Sequence, residues 1–399
     1  EANSTPESRP ETTLEEDVEN PDVQPVNEGG GLKRVALSTP CILVKGRCLG
    51  GLQVDAAPLS NGWRLSLDGG IAVGEANWQP EAAMPIDVDL QRLNLDALTP
   101  RKAEDQDQAS NLMGEIEVAP HPIALPAELA KAPAGHVRVA EFERQGQRFG
   151  PLEATWQADE QRLIVEPLTL SLGELDLSGS LDWEAAGSAS LSRARLQASG
   201  GDVGSAFRVL NQQVPITSES AEVDLQLSWP GAPWQFALPL STGRVQATMS
   251  NGRLRQIHSS GVKLVGLFNL DNILRRLQLD FSDVTSGGTS FNGLNGSVTL
   301  YNGRLQTEGP IVIDGTATRF TLAGSVDLNR QTLDQRLGIT VPVSQNLPLV
   351  AVMAGAPQVG VGLFVFDQLF GRWLDRATQI YYRIEGPWSS PNINLESAQ

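Results

Sequence analysis

Residues able to carry acid–base, nucleophilic or metal chemistry are few in this chain and far apart. The three histidines, His121, His136 and His258, each stand among ordinary strand or loop residues. A catalytic or metal site needs several such groups to converge. No CxxC or HExxH spacing occurs, and no nucleophile-elbow GxSxG has the strand-to-helix context it requires. Gly29-Gly30-Gly31 opens no helix that could cradle a phosphate, and Asp271 and Asp280 read as end-of-element residues. Most other carboxylates fall on the outward phase of strands. Cys41 and Cys48 flank a turn at Lys45-Gly46 and are close enough to pair in an oxidising compartment. A diagonal placement across that hairpin would strain the bond, so the sequence leaves both states open. The residues call for no cofactor and no metal, and they supply no constellation for an enzyme.

Repetition is more informative than chemistry. Gly46-Arg47-Cys48-Leu49-Gly50-Gly51-Leu52, Gly146-Gln147-Arg148-Phe149-Gly150-Pro151-Leu152 and Gly288-Thr289-Ser290-Phe291-Asn292-Gly293-Leu294 share one spacing. Each is followed by alternating apolar runs and a matching close: Gly74-Glu75-Ala76-Asn77-Trp78, Gly179-Ser180-Leu181-Asp182-Trp183 and Gly324-Ser325-Val326-Asp327-Leu328. A repeated strand-and-turn unit means stacked hairpins, which work through an extended surface.

Composition agrees. Gly at 39, Pro at 25 and only 19% charged residues suit many short strands joined by turns. A net charge of −17 with no basic stripe argues against a nucleic-acid partner. Residues 1–31 hold nine carboxylates against one cation, Arg9, and too few apolar side chains to offset chain entropy. The chain opens on Glu1 without a signal-peptide pattern, which reads as a processed protein or the C-terminal piece of a longer one.

The strands alternate cleanly. Ile86, Val88 and Leu90 oppose Asp87 and Asp89. Leu168, Leu170 and Leu172, then Leu175, Leu177 and Leu181, oppose Thr169, Ser171, Asp176, Ser178 and Asp182. One apolar and one wet face belong to an antiparallel sheet covered on one side. Further strands are predicted at Glu222–Trp229, Trp234–Leu240 and Gly243–Met249, the last turning at Asn251-Gly252, and at Arg336–Val343. Residues 100–135 read as a long loop. Two helical elements are predicted near the C-terminal end. One is capped at Ser259-Ser260. The other, from about Val359 to Thr378, starts within the uncharged run Leu347–Phe366 and displays Leu363, Phe366, Phe370 and Trp373. That run matches a membrane span in length, but its Pro and Gly residues argue against a straight one. A membrane-touching role and a role plugging the end of the sheet both fit Leu347, Leu349, Val350, Leu363, Phe364, Phe366, Phe370 and Trp373. The expected organisation is an acidic segment at 1–32, repeating β units over 33–258 and a helix at 259–278. A terminal β unit at 279–345 and an apolar helical segment with closing strands at 346–399 complete it.

The expected fold is therefore all-β: a long, twisted, curled antiparallel sheet whose apolar face forms a groove. Its predicted lining is Leu170, Leu172, Leu175, Leu177, Leu181, Val298, Leu300, Ile311, Ile313, Phe320 and Leu322. Such a lining suits acyl chains. Each CH₂ taken from water gains about 0.8 kcal/mol, so a two-chain lipid meets a barrier on the order of 20 kcal/mol in crossing water unaided. The rival reading is a scaffolding array of the envelope, with the same residues in a closed core.

Several stretches resemble the C-terminal region of the AsmA-like proteins of Gram-negative bacteria, in the YhdP branch. They are Gly266–Leu270, Arg275–Val284, Ile313-Asp314-Gly315, Leu347-Pro348-Leu349, Ala354–Pro357 and Tyr382–Trp388. The resemblance is densest over about 220–395. It implies a periplasmic, bridge-like protein that conducts phospholipid between inner and outer membranes, anchored in the inner membrane by a helix this chain does not show. It implies no catalytic residues, a lining role for inward strand residues and a membrane-proximal role for the apolar C-terminal segment. An envelope protein partner at that end would be compatible with it. The acidic segment is the departure from the family pattern.

Overall fold

The computed structural model describes residues 34–44, 47–48, 50–98, 122–127, 129, 132–255, 284–285, 288–316, 318–341 and 378–396. The acidic segment, most of the 100–135 loop and both expected C-terminal helices lie outside the described residues. So do His121, His258, Asp271, Asp280 and all eight apolar residues assigned to the membrane-proximal role.

From Arg34 on, the chain forms one unit built on a mostly antiparallel sheet. Strands follow one another in sequence order: Val35–Thr39, Leu52–Leu59, Gly62–Gly69, Ala72–Trp78 and Ile86–Asn94. Next come Gly135–Val139, Leu152–Ala158, Arg162–Leu172, Leu175–Ala186, Ala189–Gly200, Ser220–Pro230 and Thr242–Leu254. Gly288–Tyr301 pairs onward with both Arg304–Thr307 and Ile311–Asp314. Arg319–Asp327, Thr332–Val341, Thr378–Pro387 and Asn392–Glu396 complete the ladder.

The sheet departs from the sequence expectation at four places. First, Ile86–Asn94 and Gly135–Val139 run parallel, so the sheet is mixed. Parallel neighbours need a long crossover, and the segment between Asn94 and Gly135 supplies one. Second, Asn251-Gly252 is no hairpin turn. A tight I′ turn needs positive φ at both central residues, and here only Asn251 has it, at 43°. The strand therefore runs on to Leu254, with Gly252 opposite Phe291. Third, Trp234–Leu240 is not a strand but two 3₁₀ turns, Pro233–Gln235 and Leu238–Leu240. Their prolines remove N–H groups that a ladder would require. Fourth, a short helix at Val203–Val209 escaped the sequence reading. Its cap is Asp202, whose side chain accepts from the Gly204 N–H at 2.8 Å.

Cys41 and Cys48 are bonded in the structure, with Cα atoms 5.3 Å apart. Cys48 lies opposite Leu43 in the hairpin Leu43–Val44/Arg47–Cys48, so the bridge runs diagonally across it.

The closing phrase of the repeat has a backbone meaning. Gly179 stands at φ +152°, and a Cβ added there would come within 1.9 Å of the Arg195 carbonyl oxygen on the neighbouring strand. Gly74 occupies the same position in the first repeat, at φ +149°. Only glycine fits such a point, where a strand bends and its neighbour approaches closely. The residues two and four places on, Leu181 and Trp183, then share the face of Gly179. Gly179→Ala is expected to cost about 1–3 kcal/mol in urea unfolding. Gly70→Ala, where an added Cβ meets nothing within 4 Å, should stay within about 0.5 kcal/mol.

Candidate functional site

Residues opposite one another in register point to the same side of a sheet, so the pairing alone traces each face. Leu37 faces Val54, Val54 faces Leu67, and the row continues through Gly74, Leu90, Val139, Leu152, Leu170, Leu177, Ala198, Val223 and Ala247 to Gly296. The Ile311 side chain lies against Gly296, and the row passes on through Leu322, Leu337 and Tyr382 to Leu395. It begins and ends on exposed leucines, Leu37 at 64% and Leu395 at 47%.

All eleven residues expected to line this face lie on it. Leu170 opposes Leu177 and Leu172 opposes Leu175, with Leu181 two places further along. Ile311 opposes Leu322, Ile313 opposes Phe320, and Val298 and Leu300 follow the same phase in the neighbouring strand. Their surroundings differ. Leu170, Leu172, Leu177, Leu181 and Val298 are half-buried, whereas Leu175, Leu300, Ile311, Ile313, Phe320 and Leu322 are buried. The half-buried stretch continues across Ala198, Val223, Leu225, Val245 and Ala247, residues the sequence reading did not assign. Beyond it, Leu337, Ile339 and Ile384 are fully buried in one apolar cluster with Phe320 and Leu322. Gln335 is the polar exception there: it is buried, and its Oε1 accepts no hydrogen bond among the described residues.

The two long rims of the face differ. At one end of the strands Trp63 opposes Trp78, and the same row leads through Ile86 and Gly135 to Trp156, whose ring lies over Gly135. One step further out, Ser192 opposes both Trp183 and Trp229. Trp388 follows the end of the Thr378–Pro387 strand, its backbone N–H donating to the Gln331 carbonyl. Counting Trp234 in the adjoining turn, seven of the eight tryptophans lie along this rim; Trp373 is outside the described residues. Trp78 and Trp183 already stood at equal positions in the repeat, which was the signal available in the sequence. At the other rim stand Leu52, Ala72, Leu93 and the stacked rings of Phe142 and Phe149. There the Val203–Val209 helix packs on Leu175 and Ala221.

The opposite face is polar. Arg193–Glu184, Arg195–Asp182, Arg244–Glu308 and Arg319–Asp314 pair across its strands, mostly exposed and each worth little. One polar cluster sits at the parallel joint. His136 Nδ1 lies 3.2 Å from Asp87 and Nε2 lies 3.2 Å from Glu153, so the ring ties three strands together. Arg138, opposite both Asp89 and Glu153, is the next charge on that face. Burial works against the charged ring, but hydrogen bonds and attraction from Asp87 and Glu153 outweigh it and hold the His136 pKa above its ordinary value.

The model of the YhdP protein family matches residues 12–393. The chain belongs to that family. The match begins inside the acidic stretch, so most of that segment lies within the family's span. This YhdP-family chain is also similar to the intermembrane phospholipid transporter YhdP of Escherichia coli (strain K12), at 26% identity over 268 residues. That alignment covers 66% of the chain and 21% of the relative, so the chain spans about a fifth of the relative's length. No solved structure matches it. Among the stretches that carried the resemblance, Ile313-Asp314 ends an inner strand, and Tyr382 and Ile384 lie on the apolar face.

A histidine with a raised folded-state pKa adds stability that is complete below its unfolded pKa and is lost as pH rises through the folded value. Thermal unfolding of the YhdP-family chain should therefore show a stabilising contribution that is complete below the ordinary histidine range and fades as pH rises above it. His136→Gln should remove that contribution and leave other pH dependence in place.

Proposed function

We propose that the apolar face is a lipid track, and that the chain is a periplasmic segment of a bridge-like phospholipid transporter working between inner and outer membranes. In this reading acyl chains move along the inner face as along a groove, while polar head groups stay at its edge. One observation carries it: an unbroken apolar row from Leu37 to Leu395 whose middle is only half-buried. A run of half-buried apolar residues in the middle of a sheet is surface that an apolar partner can complete. The name of the Escherichia coli relative supports phospholipid as that partner. The family relationship favours transport over catalysis, and an enzyme reading has no constellation behind it. Anchoring of the intact protein in the inner membrane belongs to the same proposal, as does the membrane-proximal role of Leu347–Trp373.

A second reading has its own observation. The strands from Gly288 onward bury Ile313, Leu322, Leu337 and Ile339 almost completely, as a closed, scaffolding core would. The two readings separate at Leu177 and Leu322. A photoreactive residue at Leu177 in the intact protein in cells should yield phospholipid adducts by mass spectrometry. The same residue at Asp176, on the polar face, should yield none. Protein-internal adducts alone at Leu177 would sink the track and favour the scaffold. Leu177→Asp should block transport with unfolding close to wild type, because a half-buried carboxylate keeps access to water. Leu322→Asp should lower stability by roughly 3–5 kcal/mol, because a carboxylate there is cut off from solvent.

A further inference from the structure

We propose that the tryptophan rim is the side on which the glycerol–phosphate region of every carried lipid lies, so that lipids cross this segment in one orientation. The inference rests on the lipid-track reading and adds direction to it. Indole is bulky and apolar but carries one N–H donor, and it settles at boundaries between hydrocarbon and water. Trp63, Trp78, Trp156, Trp183 and Trp229 form such a boundary along one edge of the inner face, while none lies at the other edge among the described residues.

The rim is built, with Trp183 and Trp229 buried in it and Trp78 and Trp234 reaching water. Trp156 donates to the Pro133 carbonyl at 3.0 Å, Trp183 to Ser190 Oγ at 2.7 Å and Trp229 to the Ala232 carbonyl at 3.1 Å, so their rings are held in place. Trp234 meets Trp183 edge-to-face at 5.2 Å and is 70% exposed, and Trp78 is 43% exposed. The far rim carries no tryptophan among the described residues. It is mostly aliphatic side chains and phenylalanine, with Thr39 opposite Leu52, and is partly capped by the Val203–Val209 helix. Scale agrees with a lipid lying across the strands. From Leu175 to Trp183 the strand spans roughly 26 Å at ~3.3 Å per residue. The acyl region of one leaflet is about 15 Å deep, half of a ~30 Å hydrocarbon core. Acyl chains starting at the tryptophans therefore end on the aliphatic floor, short of the helix-capped rim. The reverse orientation would set a phosphate against Phe142, Val139 and the helix.

Intrinsic fluorescence tests the orientation. The chain carrying Trp373→Phe, which removes the tryptophan outside the described residues, is loaded from phosphatidylethanolamine vesicles and separated from them by gel filtration. The lipid carries bromines either near the acyl carbonyl or near the terminal methyl. The expected result is a larger loss of fluorescence with carbonyl-proximal bromines, reduced in part by Trp234→Phe. Equal or stronger quenching by methyl-proximal bromines in lipid-loaded protein would overturn the orientation and leave the track standing. Absence of retained lipid by mass spectrometry would instead count against the track itself, and the orientation would fall with it.

Discussion

Everything this structure does depends on cross-strand register in a sheet whose side chains alternate with period two. A slip of one residue at any pairing would send an apolar row into water and bring Asp176, Asp182 or Glu184 inside. The chain keeps phase across long strands by placing irregularities where alternation must change. In Arg162–Leu172 the inner residues are Leu163 and Val165 and then Leu168, Leu170 and Leu172; Glu166 and Pro167 sit between and absorb the extra residue. Proline is tolerated there because a bulge does not need its missing N–H. In Ile86–Asn94 an irregularity at Gln91 lets Leu90 and Leu93 share a face.

Given that register, one sheet supports two kinds of interior. From Leu152 to Ala247 the inner face mixes half-buried residues such as Leu170, Leu177, Val223 and Ala247 with buried ones such as Leu175, Ala194 and Leu227. From Gly288 onward most of them, Ile313, Leu322, Leu337 and Ile339 among them, are packed as tightly as an ordinary core, although Val298 stays half-buried and Leu395 is exposed. The half-buried Leu181, Leu225, Val245 and Val298 still pack against the same apolar cluster as Phe320 and Leu322, so the two kinds of interior grade into one another. The parallel joint between Ile86–Asn94 and Gly135–Val139 extends the same face into the first repeat. His136 adds a protonation-sensitive clasp to its polar side, away from the apolar row.

The tryptophans show how local chemistry acquires direction from tertiary placement. Trp63 and Trp78 come from adjacent strands of the first repeat, Trp183 closes the second, and Trp229 stands on the later strand Ser220–Pro230. Each caps its own strand end, with the indole N–H of Trp156, Trp183 and Trp229 bonded to nearby acceptors. Their alignment along one rim makes the face asymmetric across its width, which a uniformly aliphatic face would not be.

The sequence by itself determined the all-β class, the repeat and the phase of strands such as Arg162–Leu172, Leu175–Ala186 and Arg319–Asp327, because alternation of apolar and polar residues is a local property of each strand. That is why Leu170, Leu177, Ile313 and Leu322 could be assigned to one face before any pairing was known. It misjudged Asn251-Gly252, where pairing with Gly288–Tyr301 overrode a turn signal, and Trp234–Leu240, where prolines overrode a short apolar run. It also missed the helix capped by Asp202. Only the tertiary structure decided which strand lies beside which, and so the parallel joint, the meeting of His136 with Asp87 and Glu153, the tryptophan rim and the division between half-open and buried stretches. Those features join residues tens of positions apart. They follow from hydrogen-bonded register and from what packs above a face, and neither is encoded in the period of any single segment.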